Sequence, residues 1–364
     1  MNGGVIDLTT KLLRIDTAGD HEQDAIDLVA PLLAEAGFDL THVPWMPGRG
    51  SLVARWNGGG EFVLSGHVDT VPYGQATWAH GPLAAERDGD RLFGRGSSDM
   101  KGGVAAMVLA SISAARSGAR GFTVALTAGE ETGCGGARTI LSKKAMEAPG
   151  ILIVGESTAN AVRLGHKGAT WLELETAGRA AHGSRPDLGV NAIEMLSDAV
   201  VGLRELGAGA LHPYLGARTT NVGTISGGTQ TNLVPDRAQM TVDIRPVPGA
   251  SHESVREKLA NFGSVHTILE LPPVWAPTGA ESTVTQEILD AVARVTGRQD
   301  EPAGVSYFTD AAVLDPTLAR SYIIGPGDPD QPHSTDESVS IELVEQSVSV
   351  YQSLLEAWNR GQLG

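Results

Sequence analysis

Four short runs, "SLVARW" at 51–56, "EFVLSG" at 61–66, "FTVALTAG" at 122–129 and "ILIVGE" at 151–156, are apolar almost without interruption. A strand that is apolar on both sides must be covered on both faces, as in a sheet flanked by helices. Between these runs, "GGVAAMVLASISAARSG" reads as an apolar helix from about 102 to 116. Residues 20–37 place Ile26, Val29, Leu32 and Leu33 at helical spacing, with Gly37 as a stop. Buried strands alternating with helices predict an α/β sheet.

From about residue 169 the pattern changes. "TWLELETAG" alternates like a half-exposed strand, and "VNAIEMLSDAVVGLREL" is amphipathic, with Asn191 and Glu194 as a candidate capping box. Strands "TTNVGTIS" and "QMTVDIRPV", helix "HESVREKLANF" and strand "VHTILEL" follow. The order βαββαβ is ferredoxin-like. After it the earlier style resumes through "RSYIIG" to the closing helix "IELVEQSVSVYQSLLEAW". The expected architecture is a discontinuous α/β domain, residues 1–168 and 277–364, with a smaller α+β domain, residues 169–276, inserted. The Gly- and Pro-rich segments "GHKG" near 165–168 and "VWAPTG" near 274–279 are the expected hinges.

A chain of 364 residues accommodates two such domains, and its 41% apolar and 19% charged content is that of a globular protein. The formal charge of −16, without Lys/Arg runs, argues against nucleic acid or an anionic membrane as partner. No apolar run is long enough for a membrane span, and the N-terminus lacks signal-peptide character. Cys134 is the sole cysteine, so an internal disulfide is impossible, and a cytoplasmic location is expected.

The polar residues at the strand ends carry the functional signal. His67 and Asp69 follow the strand at 61–66, Glu130 and Glu131 follow 122–129, and Glu156 closes 151–156. Asp99 precedes the apolar helix, and His333 lies in "GPGDPDQPHSTDES" just past "RSYIIG". In open α/β sheets, ligands bind beyond the carboxyl ends of the strands. Each residue has a bland explanation alone: Asp99 as a helix cap, the histidines as loop residues, the glutamates as a solvated pair. Together, two histidines and several carboxylates at one sheet edge suit a pair of divalent cations. Cys134 has no His–Asp/Asn arrangement to make it a nucleophile. "SDMK" at 98–101 fits S-x-x-K but lacks the companion motifs, and "GRG" at 94–96 does not extend to G-x-G-x-x-G.

"SGHVDTVP", "GRGSSDMKGGVAAM", "TAGEETG", "IVGEST" and "GPGDPDQPHSTDE", in this order and spacing, resemble the M20 family of co-catalytic metallohydrolases. "VRLGHKG", "HGSRPDLGVNAIEML", "TVDIRPVPG" and "YFTDAAVL" resemble its acetylornithine deacetylase branch. The resemblance implies a mixed-sheet zinc-hydrolase catalytic domain and an inserted lid and dimerisation domain. It implies that Asp99 bridges two Zn2+ ions (Co2+ and Mn2+ being alternatives), with His67 and Glu156 completing one site and Glu131 and His333 the other. Asp69 would orient His67 through its second ring nitrogen, and Glu130 would be the general base. His182 would cross a homodimer interface formed by the inserted domain and steady the oxyanion in the partner's site. Arg245 and Asn232 would hold the substrate's α-carboxylate, Thr309 would line the same pocket, and Asp310 would pair with a cationic substrate side chain.

The resulting expectation is an amidohydrolase that removes a small acyl group from an N-acyl-α-amino acid. Succinyl-diaminopimelate desuccinylase and M20 carboxypeptidase or dipeptidase activity use the same core on a different amide. A non-catalytic dimeric binding protein is the reading from another class, opposed by the retained ligand set and Glu130. Gly129 departs from the family pattern, since many relatives carry Asp before the Glu pair.

Overall fold

The computed structural model describes residues 4–278 and 282–363. The chain divides into two compact units, Met1–Gly165 with Trp275–Ala303 and Thr309–Gly364, and His166–Val274 with Gly304–Phe308. The divisions fall at Gly165/His166 and Val274/Trp275, inside the two Gly- and Pro-rich segments, of which Gly279 lies outside the described residues. That residues 304–308 group with the smaller unit was not foreseen from the sequence.

The larger unit is built on a six-stranded mixed sheet, in the order 39–46, 49–56, 122–127, 62–67, 151–154, 321–323. Its last four strands run parallel; 49–56 runs antiparallel to 122–127, and 39–46, antiparallel in turn to 49–56, forms the outer edge. Every residue of Phe62–His67, Phe122–Thr127 and Ile151–Val154 is buried, as their continuous apolar character requires. Pro44 lies in the outermost strand, where the register shifts and no ladder hydrogen bond is lost on the open side. The helix Gly102–Arg116 is buried on nearly all sides against the sheet and Ile341–Asn359, with Phe62 stacked on Trp358. At Gly103 a Cβ would stand 2.3 Å from the Gly155 carbonyl oxygen. Glycine there lets the helix start approach the end of Ile151–Val154. A small sheet pairs Arg91–Phe93 with Ser338–Ser340, which ties the 94–99 segment to the loop carrying His333.

The smaller unit has four antiparallel strands in the order 219–227, 237–245, 169–177, 264–271. Helices Ala192–Glu205 and Glu253–Ala260 cover one face, over a core of Leu172, Leu174, Leu196, Met240, Val242, Val255 and Leu259. This is the expected ferredoxin-like pattern. Asn191 Oδ1 accepts from the Ile193 and Glu194 amides, and Glu194 turns back to the Asn191 side chain. Among the described residues, no helix is long and apolar enough to cross a membrane.

Candidate metal centre

The parallel strands deliver the polar residues to one edge. His67 and Thr127 are register partners at the ends of neighbouring strands, as are Ser65 and Val154, so residues 67–69, 130–131 and 156 emerge side by side. They bring together two clusters, His67–Asp99–Glu156 and Asp99–Glu131–His333, in each of which the donor atoms lie within 4.8 Å of one another. Asp99 divides its oxygens: Oδ1 is 3.0 Å from His67 Nε2, and Oδ2 is 3.4 Å from His333 Nε2. Glu156 Oε1 lies 3.2 Å from His67 Nε2, and Glu131 Oε2 lies 3.1 Å from His333 Nε2. Asp99 does not cap the helix. It sits in an irregular turn at 97–101, ahead of the helix start, and its peptide bond to Met100 is cis.

The charges are unbalanced in a way that points to cations. Among the described residues, no Lys or Arg forms an ion pair with Asp99, Glu130, Glu131 or Glu156, although all four are at least nine-tenths buried or nearly so by side chain. Burial and then the charge of Asp99 push Glu156 up to about 7 and also raise Glu131. Burial opposes ionisation of Asp99 too, yet His333 and His67 hold it well below the usual carboxylate range. Hydrogen bonds to Asp99 and Glu131 push His333 up to about 10. For His67, burial favours the neutral ring, but the Glu156 charge and the contacts to Asp99 and Glu156 outweigh it and raise the pKa well above its ordinary value. The imidazoliums are the positive charges these carboxylates have when no metal is present. Two imidazole nitrogens and three carboxylates, one of them shared, fit a pair of borderline divalent ions by donor type and number.

Glu130 stands apart from both clusters. Its carboxyl is raised well above the ordinary value, by burial foremost and by Glu156, Glu131 and Asp310, against the opposing charge of His67.

Asp69 differs from the expectation in which of its atoms act. His67 Nδ1 is 3.0 Å from the Asp69 backbone carbonyl and 3.6 Å from the carboxylate. The carboxylate instead accepts from the backbone N–H groups of Glu130 and Glu131, both at 3.1 Å. A carbonyl can only accept, so Nδ1 carries a proton and the neutral tautomer leaves Nε2 free as a ligand. Asp69 thus fixes His67 through its backbone and the Glu pair through its side chain.

Two residues expected to meet the substrate are buried. Thr309 is fully buried, and its hydroxyl accepts from the Ala311 amide at the start of the short helix Ala311–Leu314, so it is a local cap. Asp310 is also buried. It accepts from Thr127 Oγ1 and contacts Cys134, and burial pushes it up to about 6. Cys134 is a buried thiol with its pKa driven well up by burial and by Asp310, the opposite of an activated nucleophile.

In the smaller unit, His182 and Asn232 share one loop pair: Gly183 N–H donates to the Asn232 carbonyl, and His182 bridges to Leu233. Both side chains are exposed. His182 Nδ1 accepts from the Ser184 amide at 3.1 Å, which places the neutral ring's proton on Nε2, toward solvent. Arg245 ends the strand Arg237–Arg245, paired with Asp243 and set over Phe308. The loop of Asn232 precedes that same strand, so His182 and Asn232 lie at one end of it and Arg245 at the other, roughly 25 Å apart by strand rise.

Sequence reasoning missed the buried groups beneath the centre. Glu337 and Arg95 form an ion pair at 2.7 Å, with Glu337 fully buried and Arg95 nearly so. Lys101 donates to the carbonyls of Leu12 and Ile15. All three lie inside quoted motifs, but loop residues have no periodicity to show which way a side chain points.

The family profile described as Peptidase family M20/M25/M40 matches residues 63–357. The chain belongs to this family. It is 29% identical to the acetylornithine deacetylase of Vibrio atlanticus (strain LGP32), covering 94% of this chain and 93% of that protein. It is also 29% identical to that of Vibrio cholerae (strain M66-2), covering 96% of each. A solved M20 family metallo-carboxypeptidase from Sulfolobus solfataricus superposes with a TM-score of 0.81 at 18% identity, covering 98% of this chain and 100% of that one. A dinuclear metal-binding M20 peptidase of Bacillus subtilis superposes with a TM-score of 0.72 at 14% identity, covering 98% of each. The chain is a metal-dependent hydrolase of amide bonds with the family's mixed α/β fold.

Proposed function

We propose that this hydrolase removes the acyl group from an N-acyl-α-amino acid, as the acetylornithine deacetylases it resembles are named for doing. The observation that carries the reading is the division of labour at the sheet edge. Asp99 faces both histidines with different oxygens, while Glu130, equally buried, stays outside both clusters.

His67, Asp99 and Glu156 would hold one divalent cation and Asp99, Glu131 and His333 a second, with zinc the leading choice. When bound, such a pair supplies Lewis acidity that polarises the amide carbonyl and makes water more acidic. Glu130 takes a proton from the attacking water as its oxygen bonds to the amide carbon, then returns that proton to the nitrogen as the C–N bond breaks. Burial makes Glu130 an effective donor in the second step. The Asp69 carboxylate holds the Glu130 and Glu131 amides, and so fixes where both side chains start. Arg245 presents a planar fork to the substrate carboxylate.

His182 and Asn232 serve the site of a second copy. Their distance from Arg245 along one strand supports this, since the three meet in one pocket only if two chains contribute. Among the described residues, the strand Thr219–Gly227 is paired on one side only, and it is exposed along nearly its whole length, with Ile225 55% exposed and Ile193, beside Gly227, 37% exposed. An open edge flanked by apolar side chains fits a copy of itself.

Steady-state kinetics with metal-loaded protein on N-acetylornithine, N-succinyl-diaminopimelate, other acyl amino acids and dipeptides tests the proposal. The highest kcat/KM is expected on an N-acyl amino acid. Turnover confined to dipeptides would replace the deacylase reading with a peptidase one.

A further inference from the structure

Asp99 is shared by both clusters, yet it lies on neither a helix nor a strand. Its position is set from the loop that also carries His333. Glu337, fully buried, accepts four hydrogen bonds: Oε1 from the amides of Ser98 (2.9 Å) and Asp99 (3.0 Å), Oε2 from the Gly96 amide (3.0 Å) and Arg95 Nη1 (2.7 Å). Its own carbonyl accepts from the Gly94 amide, and Ser98 Oγ donates to the Ser338 carbonyl. Ser157, next to Glu156, donates to the Ser98 carbonyl. Three ligand-bearing segments therefore converge on the turn that Glu337 grips.

We propose that Glu337 is a positioning residue that fixes Asp99 between the two histidines and thereby sets the pairing of the two metal sites. The inference rests on the metal-centre reading above. Only a carboxylate suits the position, because both oxygens accept and neither has room for a donor. The isosteric Gln would aim its NH2 at two N–H groups in either orientation. Glu337 itself reaches neither cluster, so its effect passes through the backbone of Asp99.

The test uses the full-length protein, wild type and E337Q, stripped of metal and titrated with Co2+. Bound metal is counted after equilibrium dialysis, and the visible d–d absorption reports coordination. D315N is the control, since Asp315 is an equally buried carboxylate that accepts from the Arg320 amide and Ser321 Oγ at the amino end of the strand Ser321–Ile323 in the same unit. Wild type should take two ions per chain. E337Q, with folding verified by circular dichroism, should bind Co2+ about 10–100-fold more weakly at one or both sites, with a changed absorption band. D315N should lose thermal stability while keeping wild-type stoichiometry and spectrum. Wild-type affinity and spectrum in E337Q would overturn the positioning role alone. Fewer than two ions on wild type would overturn the metal-centre reading and this inference with it. If E337Q does not fold, R95M removes one of the four donors and should shift affinity and spectrum in the same direction by less. An unchanged R95M would then count against the proposal.

Discussion

A Cβ on Gly129 would stand 2.1 Å from Trp45 Cζ3, and one on Gly135 would stand 2.1 Å from Trp45 Cζ2. The indole therefore packs directly on the backbone at both ends of the Glu130–Glu131 loop, with Arg49 4.4 Å above its ring. This accounts for the departure at Gly129: Trp45 fills the space an aspartate would need, and φ is +68° there. G129D should cost about 1–3 kcal/mol by overpacking and lower turnover by moving the loop. Adding W45A should recover part of both losses. A G129D protein with wild-type melting temperature and kcat would show that the indole contact does not hold the loop. For Glu130 itself, E130Q should retain two ions per chain while kcat falls by about 10²–10⁴-fold. Metal analysis beside single-turnover kinetics checks this, and loss of metal would make Glu130 a ligand.

At the scale of the elements, four parallel strand ends gather carboxylates and histidines whose proton affinities are tied together. Glu156, at about 7, and His333, at about 10, bind protons more tightly folded than unfolded. Stability gained that way is complete below each group's ordinary value and is lost as pH rises through the folded one. For Glu156 that window runs from acid pH to neutrality, and for His333 from neutrality into the alkaline range. Asp99 acts in the opposite sense, but only below its ordinary value. The chelated protein should therefore melt at falling temperature as pH is raised from about 5 to 9. Cation uptake near neutral pH should release protons, because Nε2 of each histidine must be bare to bind. Calorimetry in buffers of different ionisation enthalpy measures that release, and its absence would mean the rings are already neutral. The strands were legible because burial on both faces demands apolar runs, against which His67, Glu130 and Glu156 stand out. Glu337 and Arg95 were not, since a turn has no period from which to infer direction. The direction of Thr309 was not legible for the same reason: adjacency in "YFTDAA" does not reveal that its hydroxyl turns to the Ala311 amide.

At the scale of the whole molecule, the decisive feature is that residues proposed for one active site occupy opposite ends of the strand Arg237–Arg245. If His182 acts in the partner's site, a defect there and a defect in Glu130 lie in different halves of each catalytic unit. H182A and E130Q homodimers should each be nearly inactive. In a mixed dimer, the site holding the intact Glu130 borrows the intact His182 of the other chain, while the second site lacks both. Mixing equal amounts and allowing subunits to exchange at random makes half the dimers mixed, with one working site in two. The mixture should recover about a quarter of wild-type activity. Exchange is followed independently by mass-tagged chains on native mass spectrometry. Mixed dimers that form and stay inactive would show that His182 serves its own chain or none. A protein that remains monomeric at micromolar concentration while fully active would remove the need for a second copy altogether.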